Sequence, residues 1–154
     1  MVTQLVGHIR EGDALADDSA LALALLIEGG WPNARLSSEL FGDLAWASSE
    51  ETCTEATKEA VRELWRYISE TPLPLPSAMW ALGKAQDPSL ADTFASVLVR
   101  ALDRYAEPLA YQALAALTAL PADSVPVDAI RLAAAKGDEE VRDLAKDWLK
   151  LLRR

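Results

Sequence analysis

The sequence predicts an all-α fold, a right-handed stack of antiparallel helical hairpins built from about eight helices. Three observations predict it. Apolar residues recur at helical spacing along the chain, with no alternating apolar–polar run that reads as a strand. Helix starts and stops are marked at regular intervals by Asp87-Pro88, Glu107-Pro108 and Gly137-Asp138. A short pattern also repeats: the hexapeptide starting at Ser77 aligns with those starting at Gln112 and Leu144, at offsets of 35 and 32 residues.

The first helix reads from Asp13 to Glu28, with carboxylates in its opening turn and Gly29-Gly30 after it. Leu21 to Ile27 is apolar on every side, which predicts a central position. Ser37 or Ser38 can cap a second helix carrying Leu40, Phe41, Leu44 and Ala45. A third runs from about Glu55 to Glu70 with Val61, Leu64, Trp65 and Ile68 as its stripe. Pro72, Pro74 and Pro76 then break the helix, because each removes a donor and disfavours helical geometry in the residue before it. Five helices follow, at Ser77 to Gln86, Pro88 to Leu102, Glu107 to Leu120, Val127 to Lys136 and Glu139 to Leu152. The length suits one domain over 1–154, divided into an acidic N-terminal part (1–70) and a repetitive part (77–154).

The repeat aligns Trp80-Ala81-Leu82 with Ala115-Ala116-Leu117 and Asp147-Trp148-Leu149. Small Ala side chains let neighbouring helices approach while Leu fills the groove between them. The run from Trp80 to Pro88, with Ala81-Leu82-Gly83 and then Asp87-Pro88, resembles the helix junction of HEAT-like repeats. So does Gly137-Asp138-Glu139-Glu140-Val141-Arg142, an acidic turn followed by Val-Arg. The resemblance covers about residues 77 to 152, and Leu109-Ala110 departs from the family's Val-Arg. It implies an α-solenoid that binds a partner in the groove lined by the second helix of each unit.

Most catalytic chemistries lack their residues. Cys53 is the one cysteine and His8 the one histidine, so neither an internal disulfide nor a His/Cys zinc set can form. Carboxylates around Cys53 disfavour a thiolate, and a Ser/His/Asp triad would depend on His8 alone. Gly29-Gly30 follows a helix and lacks the spacing and lysine of a phosphate loop. Asp13, Asp17 and Asp18 are a conceivable cation cluster, with Asp13 and Asp17 on one helical face, but helix N-termini attract carboxylates anyway. Carboxylate pairs for glycosidase-like chemistry are not excluded by sequence. The reading is therefore a non-enzyme with no cofactor and no metal. Without a long apolar run or a leader-like N-terminus, no membrane association and a cytoplasmic location are expected.

The net charge of −9 is unevenly spread. Glu11 to Glu70 holds 13 acidic and 4 basic residues, whereas Thr71 to Arg154 holds 11 and 10. Such a field repels nucleic acid and steers a basic protein, although it also serves solubility alone. The candidate contacts are Glu51, Glu55, Glu59 and Glu63 in the acidic part, with Glu107, Asp143 and Asp147 in the repeats. Trp80 shares its repeat register with Ala115 and Asp147 and so faces outward as an anchor, with Tyr111 a turn before the equivalent position; the alternative is that Trp80 packs on the prolines. Trp46 is either a similar anchor or a cover for the proline junction, while Trp65 and Trp148 fall on apolar stripes and read as core. The expected function is a protein-binding module, foremost an immunity protein that occludes a basic, nuclease-type bacterial toxin. The alternatives are a HEAT-like adaptor in a bacterial complex and, third, a HEAT-like lyase or nucleic-acid repair enzyme.

Overall fold

The computed structural model of the protein describes residues 1–28 and 50–153, with side chains from Glu55 onward in the second stretch. The helix expected after Ser37 or Ser38, and Trp46, lie outside the described residues. Everything described is helix, turn or loop, with no strand among those residues, so the fold is all-α. No helix among them is long and apolar enough to cross a membrane.

The chain opens with a helix that the punctuation signals miss, α1, Val2–Glu11. Its buried residues Val2, Val6 and Ile9 have the spacing of an amphipathic helix. It stops at Gly12, whose φ of 63° lets its N–H reach the carbonyls of His8 and Ile9. Asp13 consequently sits in a turn, where its Oδ1 accepts the Leu15 N–H at 2.9 Å. The second helix, α2, starts only at Ala16 and ends at Ile27. Asp13 and Asp17 therefore do not share a helical face, contrary to the sequence expectation.

Helix α3, Glu50–Glu70, begins five residues earlier than periodicity indicates. The proline segment after it is held by Tyr67, whose hydroxyl accepts the Leu75 N–H at 2.9 Å and whose carbonyl accepts the Thr71 hydroxyl at 2.6 Å. Helix α4, Pro76–Gly83, has proline in its first turn, where the missing N–H costs nothing. It ends before the expected Gln86, because Gln86 takes a left-handed backbone with φ 47°. Asp87 then accepts the Ser89 N–H at 2.9 Å and Pro88–Leu90 makes a single 3₁₀ turn ahead of α5, Ala91–Asp103. A second left-handed residue, Tyr105 (φ 54°), precedes α6, Glu107–Thr118. Helices α7, Val127–Lys136, and α8, Glu139–Leu152, have the predicted bounds, and Asp138 caps α8 by accepting the Val141 N–H at 2.9 Å.

The helices contact one another in two rows. In one, α1 packs on α3, α3 touches α5 and α5 packs on α7; in the other, α2 packs on α4, α4 on α6 and α6 on α8. Between the rows, α1 packs on α2, both α2 and α4 pack on α3, α5 packs on α6 and α7 on α8. One cluster of buried side chains runs from Val2 to Ala145, with Leu64, Phe94, Leu98, Leu114 and Ile130 fully enclosed. Burying each such side chain contributes roughly 1.5–3 kcal/mol. Alanines line the seams: Ala78, Ala81 and Ala113 are fully buried. At the α4–α6 seam a methyl group on Gly83 would lie 3.0 Å from the Ala116 Cβ, so glycine there allows the two helices to close up.

Trp148 is half-buried against the core, but Trp65 departs from its expected core position. It is 43% exposed, and its indole N–H donates to the Thr93 hydroxyl of α5 at 3.1 Å. Core burial goes instead to Leu64 and Ile68, which face inward a helical turn apart.

Candidate functional site

The ten residues expected to receive a partner are not gathered in one place. Trp46 is outside the described residues, and Glu51 lies in the first turn of α3, where no side chains are described. Glu55, Glu59 and Glu63 follow one another at four-residue intervals along α3. Lys58, Arg62 and Arg66 form a parallel basic row three residues on from each of them. Lys58 Nζ lies 3.4 Å from Glu55 and Arg66 Nη1 lies 3.1 Å from Glu63, so two of these three carboxylates are partly neutralised by their own helix. Each such exposed pair contributes only a few tenths of a kcal/mol to stability, about 0.3–0.5 kcal/mol.

Trp80 on α4 is half-buried and shares a groove of about 190 Å³ with Gln86, Gln112, Ala115 and Ala119. Trp80 and Ala115, paired by the sequence repeat, are thus neighbours across the α4–α6 seam. Tyr111, 38% exposed, stands one helical turn before Ala115. Asp143 and Asp147 are exposed on α8, where Lys150 approaches Asp147 at 3.6 Å; neither lines the Trp80 groove. Glu107 also lies apart, in a small cleft with Tyr105, Lys136 and Asp138.

Two contacts around Trp80 were not drawn from the sequence. The Lys84 ammonium sits 4.9 Å from the centre of the Trp80 ring. The same ammonium is 3.0 Å from Glu28 Oε1 at the end of α2. The first was legible in principle, since Lys84 follows Trp80 by four residues, just past the end of α4. The second depends on how α2 docks beside α4.

The acidic residues near the N-terminus are also regrouped. Asp17 Oδ1 accepts the Ser77 hydroxyl at 2.7 Å, tying α2 to α4. Asp13 pairs instead with His8 Nδ1 at 2.7 Å. That hydrogen bond, with the Leu15 N–H second, holds the Asp13 carboxyl below its ordinary value of 3.8. Ligand atoms of His8, Glu11 and Asp13 come within 4.8 Å of one another, making this the described group best placed to meet a cation. Elsewhere Arg10 reaches Glu70 at 3.2 Å and lies 5.8 Å from the Tyr67 ring.

Comparisons with protein families, with curated proteins and with solved structures give no match. The functional reading therefore rests on the residues and their geometry.

Proposed function

We propose that the protein is a HEAT-like α-solenoid that binds a basic protein, in the foremost case as an immunity protein that neutralises a nuclease-type bacterial toxin in the cytoplasm. The observation that supports this reading is the pattern of contacts among the described helices, in which α4 packs on both α2 and α6, and α6 packs on α8. Such a row presents one extended surface, the part of a solenoid that commonly receives partners. Trp80 and Tyr111 are partly exposed on adjacent helices of that row, and aromatic residues are the usual energetic centres of interfaces.

The mechanism is occlusion. The net charge of −9 draws a basic partner in, and carboxylates then pair with the lysines and arginines that a nuclease uses to hold phosphates. Asp143 and Glu59 enter no ion pair among the described residues and are better suited to this than Glu55 or Glu63. The test is inhibition of a nuclease encoded beside this chain in its native genome. Equimolar protein is expected to abolish cleavage of DNA or RNA, and Trp80→Ala combined with Asp143→Lys to restore it. A nuclease that cleaves undiminished in excess protein, or is inhibited equally by the double variant, overturns the reading.

A further inference from the structure

We propose that Lys84 fills, from within the chain, a cation site that an arginine side chain of the basic partner takes over on binding. The proposal rests on the reading of the protein as a binder of basic proteins and names the side chain it receives. The site has two walls. One is the face of the Trp80 ring, whose quadrupole attracts a cation; the other is the Glu28 carboxylate. Glu28 caps α2 just after Ile27, its own N–H bonded back to the Ala24 carbonyl. A carboxylate there faces the negative end of the helix dipole and is stabilised by a cation beside it.

Lys84 meets both walls but holds them weakly. Its side chain is 31% exposed and that of Glu28 is 45% exposed, so their pair is partly screened by water. A guanidinium is the better ligand for the same walls: it stacks flat on an indole, grips a carboxylate through two N–H groups and loses less hydration than an ammonium. There is also room for the chain that would carry it. The groove beside Trp80 runs over Ala115 and Ala119, whose methyl groups leave space, and the amides of Gln86 and Gln112 can hydrogen-bond a peptide backbone. A partner arginine would enter along this groove, displace the Lys84 ammonium towards solvent and pair with Glu28.

The test uses the full chain and a capped decapeptide containing arginines, with the lysine version of the peptide as comparison. Binding is followed by NMR at the indole N–H of Trp80, assigned from Trp80→Phe. Lys84→Met keeps the aliphatic stem and removes the competing charge, and is expected to bind the arginine peptide about threefold or more tighter than the unaltered chain. Lys84→Gln provides a second variant should the first fold poorly. Adding Glu28→Gln to either is expected to abolish the gain. Lys136→Met makes the same change in net charge away from the groove and is expected to leave affinity and the Trp80 signal as they were. The proposal is overturned if both Lys84 variants bind no tighter than the unaltered chain, if Lys136→Met gives the same gain, if the lysine peptide binds as tightly as the arginine one, or if the Trp80 indole does not respond. A nuclease inhibited while Trp80 stays silent removes this site alone. A failure to inhibit any nuclease alongside the expected peptide result removes only the toxin reading.

Discussion

Gly137 shows how one residue can decide a turn. A methyl group added to it would collide with the Val141 side chain and lie 2.8 Å from the Ala133 carbonyl, so the neck between α7 and α8 has no space for a Cβ. Gly137→Ala is expected to lower stability by about 1–3 kcal/mol, the cost of overpacking, measurable by urea denaturation. Beside it, Asp138→Ala removes the cap on the Val141 N–H and is expected to cost about 1 kcal/mol, with Asp138→Ser recovering most of it. Asp13 gives a pH prediction. Its carboxyl titrates lower in the folded chain than its ordinary value, so the stability it contributes is present above that value and is lost as pH falls through the folded one. Asp13→Asn is expected to remove that part of the acid limb, seen by comparing denaturation midpoints from about pH 6 down to about pH 2. The Asp138 cap was legible in the sequence because it acts over three residues. The His8–Asp13 pair was not, because reading Asp13 as the start of α2 hid the turn that brings it back to His8.

At the scale of elements, the α4–α6 seam sets two effects against each other. Gly83→Ala gains up to about 1 kcal/mol of helix propensity but places a methyl group 3.0 Å from the Ala116 Cβ. The two nearly cancel, and little change in stability is expected. Gly83→Val adds bulk without that gain and is expected to cost about 1–3 kcal/mol in thermal or chemical denaturation. The bounds of α7 and α8 were legible because a Gly-Asp stop and cap lie between them. The end of α4 was not, since Gln86 adopts a left-handed backbone that nothing in its side chain favours. Tyr105 does the same before α6. The sequence marks these two left-handed residues only by the Asp-Pro and Glu-Pro that follow. Helix α1 was missed although Val2, Val6 and Ile9 carry the amphipathic spacing, because no cap or proline announces its start.

Across the whole molecule the buried cluster continues from α1 to α8, which predicts that the described helices unfold together. Leu64→Ala and Leu114→Ala, in different helix rows, are each expected to cost about 2–5 kcal/mol while leaving a single transition by circular dichroism and tryptophan fluorescence. Separate transitions by the two probes would show that the rows come apart independently. The charge also acts at this scale. Pairing within α3 leaves its acidic row less free than its composition suggests, so reversing Asp143 is expected to weaken a basic partner more than reversing Glu63, which Arg66 already meets. Competition binding at low and high salt checks the order, and the difference should shrink as salt screens the field.

The helical class, the proline break before α4 and the starts of α6, α7 and α8 were determined by sequence alone. Each depends on groups within one or two helical turns of one another, and caps, prolines and periodicity act over that range. Tertiary structure decided which side chains are left at the surface. Trp65 lies on the apolar stripe of α3, yet the docking of α5 leaves it at the surface bonded to Thr93. Glu28 meets Lys84 only because α2 packs beside α4, and that contact places a cation over Trp80. Exposure and long-range pairing are set by how the helices pack, and helix periodicity carries no record of the neighbour each face will meet.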